Sequence, residues 1–137
     1  MATTTATITL SSADLLTDAL SFSTTADLTG AGNSTGLTGT TGLARKTVAG
    51  SHAEYTLFTA SNYTDDGANK IYLKNTSTTA SEYFDVSIGD MQMGRLYAGD
   101  WAFFPWNADT GTTPDADIKV DPSANDMTLE YMLFTDE

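Results

Sequence analysis

The single histidine, His52, sits in the segment Gly50-Ser-His52. A general base there would need an orienting partner and a nucleophile within hydrogen-bond reach, and the neighbouring sequence supplies neither. His52 therefore reads as a solvated turn residue. Cysteine is absent, so zinc and iron sites built from several His or Cys ligands are unavailable, and no disulfide or thiol chemistry exists. What remains is oxygen chemistry at Asp109, Asp115, Asp117, Asp121 and Asp126. A carboxylate pair can hydrolyse a glycoside, and a carboxylate cluster can hold calcium. These aspartates fall in or beside turns, where a short acceptor side chain bonds nearby backbone, and turn formation is the better explanation. The sequence predicts no catalytic, cofactor-binding or metal-ligating residue, and a protein that is not an enzyme.

A second oxygen-rich stretch is Asn62-Tyr-Thr-Asp-Asp-Gly-Ala-Asn69. It lacks the alternating carboxylates and closing glutamate of an EF-hand and is read as a turn centred on Asp66-Gly67. The glycines of residues 29–42 are irregularly spaced and no Gly-Lys-Ser/Thr follows them, which excludes a phosphate-cradling loop. The aromatic set Tyr97, Trp101, Phe103, Phe104 and Trp106 fits either a sugar-stacking platform or packing in a core or subunit interface. These residues lie within a strand and not at loop tips, so packing is favoured, and the five are the candidate interface to itself or to a partner. Thr3, Thr5, Thr7 and Thr9 form a single threonine row. An ice-binding face needs stacked repeats, so the row is read as an edge strand facing solvent.

The elements that must position these residues are strands. Ile71 and Leu73 share one face of residues 70–75, and Phe84, Val86 and Ile88 share one face of residues 82–88, with the period of two expected for half-buried strands. Residues 95–106 turn at Gly99-Asp100 and are apolar on both sides, Trp101 and Phe103 against Ala102 and Phe104, which predicts a strand between two layers or against a partner. Residues 2–10 and 18–28 alternate more weakly, and one helical turn is possible over 11–16. Residues 43–49 and 53–59 are expected to form a hairpin about Gly50-Ser-His52. Strands at 117–121 and 127–134 close the chain, the second placing Met127, Leu129, Tyr131 and Leu133 on one face. About nine or ten short strands with no long helical period predict one all-β domain, a β-sandwich of jelly-roll type. Residues 1–50 would form N-terminal strands, an extended arm and a Gly/Thr-rich stretch, a long loop or a thin hairpin too polar to bury a core, and residues 51–137 the sandwich body.

Composition agrees. The 137 residues suffice for one core, and threonine favours pleated surfaces. Against 18 acidic residues stand 6 scattered basic ones, a net charge of -12. Binding to nucleic acid or to anionic membrane is not expected on that balance. The N-terminal residues carry no basic and apolar pattern of a secretory signal, and no window is long and apolar enough to span a bilayer.

Gly99-Asp100 followed by Pro105 resembles the opening of the second cupin motif, but the histidines of both cupin motifs are absent, so metal-dependent cupin activity is not implied. Four segments together, Ile71-Tyr-Leu-Lys-Asn75, Tyr83-Phe-Asp-Val-Ser-Ile88, Leu96-Tyr-Ala-Gly-Asp-Trp-Ala-Phe-Phe-Pro105 and Met127-Thr-Leu-Glu-Tyr-Met-Leu133, resemble small virion structural proteins of tailed bacteriophages. The resemblance covers the second half of the chain. It implies a non-enzymatic protein without cofactor that decorates or cements the capsid surface. Its partners would be further copies of itself, most simply as a homotrimer, and the major capsid protein. The N-terminal arm would order on a neighbouring copy. The alternative is a tail or fibre subunit that binds host glycans.

Overall fold

The computed structural model describes residues 3–15, 17–30, 32, 36–111 and 113–135. Among them lie eleven strands and one short 3-10 turn, Ala60–Asn62. The protein is all-β, with antiparallel sheets packed as a sandwich. The larger sheet is centred on β6 (Asn69–Asn75) and β11 (Met127–Thr135), flanked on one side by β9 (Trp101–Trp106). On the other side β3 (Gly39–Thr40) and β4 (Ala44–Val48) both pair with β11, one after the other along its length. The smaller sheet runs β5 (Tyr55–Phe58), β10 (Ile118–Pro122), β7 (Tyr83–Ile88), β8 (Met91–Tyr97).

The strict alternation of β6 explains the layer. Asn69, Ile71, Leu73 and Asn75 are buried, while Lys70, Tyr72 and Lys74 on the opposite face are half-buried. Facing the same interior are Leu129 and Leu133 of β11, Phe84 and Val86 of β7, Ile118 and Val120 of β10, and Val48 and Phe58. Each such side chain contributes about 1.5–3 kcal/mol through removal from water. Two polar ties close the ends of this core. Asn75 Nδ2 donates to the carbonyls of Glu82 (3.2 Å) and Leu96 (3.1 Å), joining the sheets. Trp106 Nε1 donates to the Ala116 carbonyl at 2.7 Å.

Three expectations are corrected here. Residues 43–49 and 53–59 do not pair as a hairpin, because β4 pairs with β11 and β5 with β10, in different sheets. The turn between them, with Gly50 at φ 90° and His52 at φ 54°, carries the chain from one layer to the other. It is held by the His52 amide on the Pro122 carbonyl and the Ser51 amide on Asn125. Second, the Gly/Thr-rich segment is not wholly excluded from burial. Leu28 and Leu37 are buried, Thr29 bridges to Gly36, and Thr38 donates to the Thr135 carbonyl. Strands β3 and β4, which precede residue 50, belong to the body. Third, Ser11 and Ser12 end a strand and residues 13–15 bend without helix; Leu16, the last residue of the anticipated helical turn, lies outside the described residues.

The N-terminal arm is a ribbon. Strand β1 (Thr5–Ser12) pairs along its whole length with β2 (Leu20–Asp27) to form a separate two-stranded sheet. The threonine row is paired: Thr5, Thr7, Thr9 and Ser11 lie opposite Asp27, Thr25, Ser23 and Ser21, with the Thr7 and Thr25 hydroxyls 2.7 Å apart. The other face carries Ala6, Ile8, Leu10, Leu20, Phe22 and Ala26.

Candidate interaction surface

The five aromatic candidates are divided among three places. Trp106 is 2% exposed and packs among Phe58 and Tyr63, with ring centroids 6.0 and 5.3 Å away. It is a core residue and cannot offer a ring to a partner or a sugar. Phe104, on the same inward face of β9, packs partly against the core. Trp101, 52% exposed, and Phe103 point outward from the larger sheet, where Phe103 meets Phe134 edge to face at 6.4 Å. Tyr97 projects from the smaller sheet and meets Tyr83 at 5.4 Å. The turn from Tyr97 to Trp101 crosses between the sheets, so neighbours in sequence end on opposite outer faces. Gly99, at φ 81°, permits that turn; its amide donates to the Asn75 carbonyl.

Beside Tyr97, the Arg95 guanidinium lies 3.8 Å from the centre of the Tyr83 ring and bonds Asp85 at 2.7 Å. Hydrogen bonding to the Asp85 carboxylate, and then to Tyr97, raises the Arg95 pKa above its already high ordinary value. On this outer face Arg95, Asp85, Tyr83 and Tyr97 bond or pack on one another, while Asp121 Oδ1, opposite Asp85, is buried without a hydrogen-bond partner among the described residues.

The outer face of the larger sheet is different. Among the described residues, Arg45, Lys70 and Lys74, three of the chain's 6 basic residues, stand on it beside one carboxylate, Glu130. Between them lie Tyr72, Met132, Phe134, Trp101 and Phe103. Arg45 bonds Glu130 at 3.0 Å, and partial burial followed by the Glu130 charge raises the Tyr72 pKa above the usual tyrosine value. A protein of net charge -12 thus presents one aromatic face on which the described residues have a positive balance. The lower half of the ribbon stands over one end of this face. Ala6, Ile8, Thr24 and Ala26 look across a gap of about 270 Å³ at Lys70, Phe103 and Pro105. The end bearing Trp101, Lys74 and Arg45 is open.

Other large apolar side chains that the sequence reading did not single out are exposed. They are Leu10 (51%) and Phe22 (49%) on the ribbon, Leu15 (70%) at its tip, Leu43 (61%) just before β4, and Met91 (75%) and Met93 on edge strand β8. Met91 and Met93 line a groove of about 630 Å³ with Ile88, Pro114 and Ala116. The signal for the ribbon was present as Ile8 and Leu10 on one face and Leu20 and Phe22 on another; the pairing of Leu10 with Phe22 makes them one patch.

The carboxylates act on backbone and neighbours. Asp109 accepts from the Gly111 amide, Asp117 from the Ala60 amide, and Asp65 from the Thr110 amide and hydroxyl. Asp66 and Asp126 occupy turn positions at φ 61° and 57°. Among the described residues no three His, Cys, Asp or Glu side chains are grouped as metal ligands, and no helix is long and apolar enough to cross a membrane. Comparison of the chain with protein-family models, with curated proteins and with solved structures returns no match.

Proposed function

We propose that this chain is a non-enzymatic structural subunit of a tailed-phage virion, a decoration or cement protein. In this reading it associates with copies of itself, as a trimer, and binds the major capsid protein on the head surface. The observation that carries the assembly reading is the uncovered apolar patch of Leu10 and Phe22, opposite each other on the ribbon and each about half exposed. Soluble monomers rarely leave such groups together unless something docks there. The strand order supports a jelly roll: counted from β4, the sheets run 4-11-6-9 and 5-10-7-8, the two interleaved Greek keys found in viral capsid and lectin domains. The resemblance of residues 71–133 to phage virion proteins supplies the choice of particle. The acidic balance suits an outward face turned away from packaged DNA.

The test is co-sedimentation of the purified chain with phage heads stripped of their decoration. Saturable binding at a fixed ratio to the major capsid protein, and greater resistance of the heads to heat or low salt, is the expected result. Absence of binding to heads, with retention on a host-glycan array lost in Trp101→Ala, would replace this reading with the tail-fibre one.

A further inference from the structure

We propose that the tip of the β1–β2 ribbon docks, apolar face down, on the open end of the larger sheet of a second copy, against Trp101, Lys74 and Tyr72. The proposal rests on the self-association proposed above and is separate from attachment to a shell.

The donor has the form of an arm. Two eight-residue strands span roughly 27 Å at about 3.4 Å per residue. A two-stranded ribbon is marginal in water on its own. Its threonine and serine face bonds to itself through Thr7 with Thr25 and Thr9 with Ser23 and is complete in solvent. Its other face is unfinished, since Leu10 and Phe22 lie opposite each other, each about half exposed, and the more exposed Leu15 follows at the tip. The ribbon and its tip, residues 3–30, carry Asp14, Asp18 and Asp27 and no basic residue.

The acceptor carries the complementary character. The outer face of β4, β11, β6 and β9 presents Arg45, Lys70 and Lys74 against Glu130, with aromatic rings between them. Ribbon-base residues Ala6, Ile8, Thr24 and Ala26 already line a gap with Lys70 and Pro105 of the same chain, so the end left to receive a second copy is the one bearing Trp101, which is 52% exposed. The groove by Met91 and Met93 is apolar as well, but its charges, Asp90 and nearby Lys119, are 3.2 Å apart and satisfied, leaving nothing for an acidic tip. Donor and acceptor are different patches, so the contact is head to tail, and three such contacts can close a ring.

The experiment is sedimentation velocity on the full chain across a concentration series, at physiological salt. The wild type is expected to assemble. Leu10→Ser with Phe22→Ser, and separately Trp101→Ala with Lys74→Glu, should each raise the dissociation constant roughly tenfold or more. Both pairs lie on the surface, so fluorescence of the buried Trp106 should stay at its wild-type value, as should the unfolding midpoint at concentrations where every chain is dissociated. Mixing the two defective variants joins one intact tip to one intact sheet, and a one-to-one heterodimer should appear. A ribbon variant that keeps the wild-type mass, or a mixture that yields no heterodimer, overturns the docking mode while leaving self-association standing. A wild type that stays monomeric throughout overturns both. Assembly through the ribbon by a chain that never binds heads leaves the docking mode intact and removes the virion role.

Discussion

Asn75 ties three segments together and is fully buried: its side-chain amide donates to the carbonyls of Glu82 and Leu96, and its carbonyl oxygen accepts from the Ser77 amide at 3.0 Å. Asn75→Leu keeps the branched heavy-atom skeleton but leaves those groups without their partner, at about 1–3 kcal/mol for each one that stays buried. A loss of about 3 kcal/mol is expected by urea denaturation, and a loss below about 1 kcal/mol would show that water replaces the amide. The tryptophans separate in the same measurement. Trp106→Ala empties a core site and is expected to lose about 3–5 kcal/mol. Trp101→Ala removes an exposed ring and should stay within about 0.5 kcal/mol in the dissociated chain, its effect confined to assembly. Tyr72 adds a pH dependence. Partial burial and Glu130 raise its pKa in the folded state above the ordinary 10.0, so folded protein holds the proton more tightly than unfolded. The stability this gives is present below pH 10 and declines as pH rises through the raised value. In Tyr72→Phe the alkaline decline of the melting temperature should flatten, and an unchanged profile would assign that decline to other groups.

Strands with strong period-two alternation were legible in the sequence because local pattern and burial agree there, as in Ile71 and Leu73 of β6 or Met127, Leu129 and Leu133 of β11. Pairing was less legible. Gly50-Ser-His52 announces a reversal, but whether the strands on either side bond each other depends on β11 and β10, more than 60 residues further on. The aromatic run shows the same limit. Trp106 is interior because the chain beyond β9 folds back and offers the Ala116 carbonyl, while Trp101 five residues earlier stays outside. The ribbon is the element whose local structure is least supported by packing, since its partners are each other. Its amides in the dissociated chain are therefore expected to exchange with solvent fast, near the low end of local opening free energies, while those of β6 and β11 exchange only on global unfolding. On assembly, protection of residues 6–10 and 20–24 should rise with protein concentration. Concentration-independent protection there would mean that each ribbon is stabilised within its own copy.

At the scale of the whole molecule, two electrostatic effects oppose each other, and range decides between them. Each copy carries a net charge of -12, which repels every other copy wherever the field reaches. The complementary charges on tip and sheet, Asp14 and Asp18 against Lys74 and Arg45, are few and act only at contact. At about 0.01 M salt the screening length is roughly 30 Å, comparable to the ribbon, so whole-molecule repulsion operates across the full approach. At about 0.15 M it is roughly 8 Å, and only charges near the contact are felt. Repulsion summed over -12 on both sides therefore dominates at low salt and is removed first as salt is added. The association constant is expected to rise between these concentrations, the reverse of a contact held mainly by salt bridges. Lys74→Glu should assemble less at both salts and lose most, relative to wild type, at low salt, where the added negative charge is least screened. An association constant that falls steadily from the lowest salt would mean that local ion pairs outweigh the net charge, and the apolar tip would no longer be the main source of affinity.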